Sequence, residues 1–116
     1  MRYVMILTGD ESNWFDPEQA ESLMDEVGTW WEKWHQEGKI VKGGAELQPS
    51  STAKTVGPGA DGKPTVTDGP YLEIKEVVGG FIHVVADNID EAVAVASGWP
   101  GIRLGDRVEV RPIMER

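Results

Sequence analysis

Tyr3-Val4-Met5-Ile6-Leu7 is apolar at every position, and no other run limits the fold as much. A strand with one wet face alternates, whereas a strand apolar at both parities needs cover on both faces. The chain has only two strong helix starts with which to provide that cover. The first is Asp16-Pro17-Glu18-Gln19: Asp16 suits the N-cap, Pro17 the first helical position, and Gln19 the returning arm of a capping box. The helix it opens carries Ala20, Leu23, Met24, Val27, Trp30, Trp31 and Trp34, which fall within about 120° of one another at 100° per residue. These seven are expected to be buried, and Gly38 ends the helix. The second start is Asn88-Ile89-Asp90-Glu91, a capping box opening a helix that should bury Ile89, Ala92, Val93 and Ala96 before Trp99-Pro100-Gly101 stops it.

Strand signals surround both helices. Ile40 to Leu47 reads as a strand broken by Gly43-Gly44, the mark of a bulge or a close contact. Residues 52–56 and 64–67 read as a short hairpin with Asp61-Gly62 supplying its turn. The Gly57-to-Gly62 loop spells G-x-G-x-x-G, but no helix follows it, so it is not a dinucleotide fingerprint. Gly9 to Phe15 is expected to be a loop. Asp68-Gly69-Pro70 must be a turn or a strand entry, because proline cannot donate to a ladder. Gly79-Gly80 gives the backbone freedom to bend or to approach another surface before residues 81–86 run on as a strand. In Asp106 to Met114, Val108, Val110 and Pro112 alternate with Glu109, Arg111 and Ile113.

The resulting order is β-α-β-(hairpin)-β-α-β, an α+β, ferredoxin-like split βαβ domain with an antiparallel sheet and an inserted β-hairpin. At 116 residues the chain makes one domain, 1–116, able to bury roughly 65% of its unfolded surface. Two helices cover one face of a four-stranded sheet, so the second face calls for another copy of the chain: a homodimer with sheets facing each other.

Twenty acidic against eleven basic side chains give a formal charge of −9. With no basic stripe to offset it, this argues against nucleic-acid binding. There is no cysteine, hence no disulfide, zinc–thiolate site or thiol nucleophile. The two histidines, His35 and His83, are too far apart, and too far from clustered acids, to suggest a metal site. No cofactor is expected. The longest apolar run is too short to span a membrane, so no membrane partner is expected and the default location is cytoplasmic.

With these elements in place, the chain resembles the DGPF or YCII-related family of dimeric α+β barrels. The likeness rests on Tyr3 to Leu7, Gly43-Gly44-Ala45-Glu46-Leu47-Gln48-Pro49 and Val66-Thr67-Asp68-Gly69-Pro70-Tyr71. It continues through Glu73-Ile74-Lys75-Glu76, Gly79-Gly80-Phe81 and Val108-Glu109-Val110-Arg111-Pro112-Ile113. The resemblance implies a pocket between sheet and helix in which a His–Asp pair does acid–base chemistry. It also implies a gene neighbourhood that often includes extracytoplasmic-function sigma factors, and so a sigma factor as an alternative partner. Asp68 occupies the family aspartate. The helix histidine falls at Val27 here, a departure from the family pattern.

The candidate residues follow. Asp68, if partly buried, suits a general acid or base; the plainer role is capping its own turn. His83 shares a strand face with Phe81 and Val85 and is placed to replace the missing helix histidine, or else serves as a core or interface residue. Glu109 and Arg111 share a strand face; Arg111 suits a carboxylate ligand, or the two belong to an intersubunit or cross-strand ion pair. Tyr71, Lys75 and Phe81 are further candidate ligand contacts. Trp30, at the edge of the helix stripe, is the tryptophan expected to reach a pocket. Turnover using Asp68 with His83, binding of a small apolar ligand without turnover, and partnership with a sigma factor are the competing functions.

Overall fold

The computed structural model describes residues 1–70 and 76–116. Six strands and three helices follow one another in the order β1 (Arg2–Asp10), α1 (Glu11–Trp14), α2 (Pro17–Gln36), β2 (Ile40–Glu46), β3 (Lys54–Pro58), β4 (Pro64–Asp68), β5 (Glu76–Val85), α3 (Ile89–Ser97) and β6 (Arg107–Pro112). Single 3₁₀ turns precede β3 and β6, at Ser50–Thr52 and Pro100–Leu104. Four strands form one antiparallel sheet in the order β2-β5-β1-β6, while β3 and β4 pair only with each other. This is the ferredoxin-like α+β arrangement with an inserted hairpin.

The register sorts the sheet's side chains into two faces. Tyr3 lies opposite Val84 and Pro112, Met5 opposite Ile82 and Val110, and Leu7 opposite Gly80 and Val108. That face receives the helices, and Tyr3, Met5, Leu7, Trp30, Ile40, Val84, Ala86, Ala92, Val95 and Ala96 form the core. On the other face Val4 lies opposite His83 and Arg111, and Ile6 opposite Phe81 and Glu109. No helix covers it, and its apolar residues are left half-buried.

Several expectations need correction. Residues 9–15 are not a loop: β1 runs on to Asp10, whose side chain accepts from the Ser12 backbone N–H (3.0 Å) and hydroxyl (2.7 Å) and so caps α1. Four helical residues are too few to show a period. Asp16 caps α2 by accepting from the Glu18 N–H at 3.0 Å, but Gln19 does not complete a capping box, because its Oε1 is buried without a hydrogen-bond partner. Only Leu23 and Trp30 of the expected α2 stripe are buried, and Met24 and Trp31 are 54% and 43% exposed. In α3 the buried residues are Ala92, Val95 and Ala96, whereas Ile89 and Val93 point outward. Ala92 and Ala96 are buried as expected, and the buried row is turned about 60° around the helix axis from the expected one.

The glycine pairs act as close-approach points. The register of β2 on β5 shifts between Val41 and Ala45, at Gly43-Gly44, and that of β1 on β5 shifts between Leu7 and Thr8, at Gly79. A Cβ on Gly44 would lie 2.4 Å from the Phe81 carbonyl oxygen, and one on Gly79 would lie 2.4 Å from the Trp14 ring. The hairpin loop at 59–63 is a turn with Gly62 at φ +79°, not a phosphate cradle.

Candidate functional site

α2 carries apolar side chains outside the core, among them Met24 and Trp31. Between its exposed-apolar side, α1 and the β2 edge is a cavity of about 520 Å³, within the range of small-molecule sites, roughly 300–1,000 Å³. Leu23, Met24, Val27 and Trp31 come from the helix, and Val41 to Leu47 supply the strand edge. This explains why the α2 stripe is broader than the core it feeds. Trp30 and Trp31 are one residue apart, so they point about 100° from one another. Trp30 enters the core, where its Nε1–H donates to the Val95 carbonyl at 3.0 Å and its ring meets Trp99 edge-on at 5.3 Å. Trp31 walls the cavity and stacks on His35, 4.4 Å between ring centroids. Of the pair, Trp31 rather than the expected Trp30 lines this cavity.

The cavity's buried end is built around a residue that neither motif nor periodicity singles out. Asp106, 5% exposed, accepts from Trp14 Nε1–H on Oδ1 at 2.8 Å and from Trp99 Nε1–H on Oδ2 at 3.0 Å. All three line the cavity. Two glycines make room for the carboxylate: a Cβ on Gly9 would lie 2.3 Å from Oδ1, and one on Gly101 2.0 Å from Oδ2. Trp14, Trp99 and Asp106 come from α1, the end of α3 and the entry to β6, so only the folded chain brings them together. The one available signal was two tryptophans outside the α2 stripe, whose N–H groups need an acceptor when buried.

The expected site residues scatter. Asp68 ends β4 with its side chain 89% exposed, 2.6 Å from Lys54 Nζ, and it is not among the residues lining the cavity. The partial burial on which the acid–base expectation for Asp68 depended is absent from the single chain. His83 is half-buried on the uncovered sheet face, its ring 6.2 Å from that of Phe81, with Gly43 close over it. No hydrogen bond or ion pair joins Asp68 to His83 among the described residues. Phe81 does line the cavity. Glu109 and Arg111 lie on the uncovered face and form an ion pair with each other along one strand rather than across strands. Tyr71 and Lys75 lie outside the described residues. No group of three or more potential metal ligands occurs among the described residues, and no helix there is long and apolar enough to cross a membrane.

A family model described as the YCII-related domain matches residues 1–116. The chain belongs to the YCII-related domain family. A comparison with curated proteins gives no match. In this YCII-related chain the helix position at which the family resemblance implies a histidine is Val27, and Val27 lines the cavity.

Proposed function

We propose that this YCII-related protein is a small-molecule binding module whose ligand occupies the cavity between α2, α1 and the β2 edge. One observation carries the reading: a cavity of about 520 Å³ has mostly apolar and aromatic walls, including Val27 at the expected histidine position. Such a site holds an apolar or aromatic body by burial, at roughly 25 cal/mol per Å² of apolar surface removed from water. Neither Asp68 nor His83 is among the residues lining it, so binding without turnover fits better than proton transfer by that pair. The uncovered sheet face, with Val4, Ile6, Phe81 and Val85 half-buried, supports a homodimer in which two such faces meet.

Titration with the neutral fluorophore N-phenyl-1-naphthylamine tests the reading. The expected result is saturable binding with quenching of tryptophan emission, weakened at least about tenfold by Val27→Trp, which fills the cavity. A Val27→Trp protein with an unchanged far-ultraviolet spectrum and undiminished affinity would place the probe elsewhere and overturn the assignment.

A further inference from the structure

We propose that the buried end of the cavity is a subsite for the cationic head of an organic ammonium ligand, received by the Asp106 carboxylate beside the Trp14 and Trp99 rings. The inference rests on the cavity being a ligand site and adds the charge of what it takes. The supporting observations concern Asp106 itself and the walls around it.

Asp106 is 5% exposed, yet no ion pair to it occurs among the described residues. Its two partners are neutral indole N–H groups, which orient the carboxylate without cancelling its charge. A buried carboxylate left uncompensated is costly, and a bound cation removes that cost. In addition, an ionised carboxylate has about four acceptor positions, of which the two indoles take two.

The surroundings suit an alkylammonium better than a metal ion or a second carboxylate. Trp14, Trp99 and Trp31 line the same cavity, and an aromatic face attracts an organic cation by about 0.5–1 kcal/mol where exposed and roughly 2 kcal/mol where desolvated. The remaining walls, Leu7, Leu23, Met24 and Val27, are apolar and suit the carbon substituents of such a head rather than a hydrated metal. Lys42 and Glu46 line the cavity from the β2 edge with opposite charges, so that edge contributes no net charge. The chain's formal charge of −9 raises the local concentration of cations.

A role for Asp106 purely as a strut between α1 and the turn before β6 would account for the two indole bonds alone, and it predicts no charge selectivity beyond the weak, salt-screened pull of the net charge. The test is therefore a matched pair of probes: phenyltrimethylammonium and its uncharged isostere tert-butylbenzene, titrated into the full chain at physiological ionic strength. Affinities are read from the Trp14 and Trp99 indole N–H resonances. The expected result is at least about tenfold tighter binding of the cation. In Asp106→Asn that preference is lost while tert-butylbenzene affinity stays within about twofold. Equal affinities in the wild type would overturn the ammonium subsite and leave the cavity reading standing. No response of either resonance to either probe would overturn both. If Asp106→Asn does not fold, the wild-type pair decides, because the two probes share shape and differ only in charge.

Discussion

At the scale of single residues, the Asp106 carboxylate depends on the glycines beside it. Gly9 and Gly101 leave it room, and one indole N–H bonds to each of its oxygens. Gly101→Ala would set a methyl 2.0 Å from Oδ2 and 2.6 Å from Trp99 Nε1, where only loss of the Trp99 bond makes room. That overpacking and the lost charge-assisted bond should cost about 2–4 kcal/mol of unfolding free energy in urea titrations. Gly28→Ala is the contrasting case, since Gly28 is an exposed α2 residue with nothing within 4 Å of a new Cβ. It should stabilise by about 0.5–1 kcal/mol. If the two alanine variants had equal stability, the packing account of Gly101 would fail. None of this was legible beforehand: Trp14 and Asp106 are 92 positions apart, and no local pattern links residues at that separation.

At the scale of elements, the caps were readable because they are chemistry between near neighbours. Asp16 and Asn88 cap α2 and α3 as expected, Asn88 accepting from the Glu91 N–H at 2.9 Å. What the capping side chains' partners do next was not readable. The Glu91 carboxylate turns instead to Lys39, tying α3 to the residue that precedes β2. The Lys39 ammonium, through this hydrogen bond first and its charge second, holds the Glu91 carboxyl below its ordinary 4.5, and Lys39 is correspondingly raised above 10.5. A lowered folded-state carboxyl contributes stability above its unfolded value, and that stability is lost as pH falls through the folded value. The raised Lys39 works in the other direction: its contribution is present below 10.5 and is lost as pH rises through the higher folded value. Wild type should therefore exceed Glu91→Gln in urea midpoint at neutral pH, with the gap closing below pH 4.5 and again at the far alkaline end. A gap that stays constant on acidification would show that the pair does not couple to folding.

At the scale of the whole molecule, the sheet has one finished face and one unfinished one. The Cα radius of gyration is 16.0 Å, against about 13 Å for a compact chain of this length. The β3–β4 hairpin, with Val56 and Val66 65% and 61% exposed, stands away from the four-stranded sheet. The proposed homodimer makes a direct prediction. Sedimentation velocity at micromolar concentration should give the mass of two chains. Ile6→Asp, which puts a charge at the centre of the uncovered face opposite Phe81 and Glu109, should shift the protein to monomer, weakening association at least about a hundredfold. A monomeric wild type would remove the dimer.

The sequence alone determined the order of the strands and of α2 and α3, the N-caps of those two helices and the glycine close-approach points. Each of these is local: a hydrogen bond within a turn, a side-chain period, a missing Cβ. Tertiary structure alone decided which flank of α2 is core and which is cavity, and so that Trp31 rather than Trp30 lines the site. It also decided that Asp68 is solvated while Asp106 is buried between two indoles. An acid's environment is set by what packs over it, and for Asp106 those partners arrive from elements far apart along the chain.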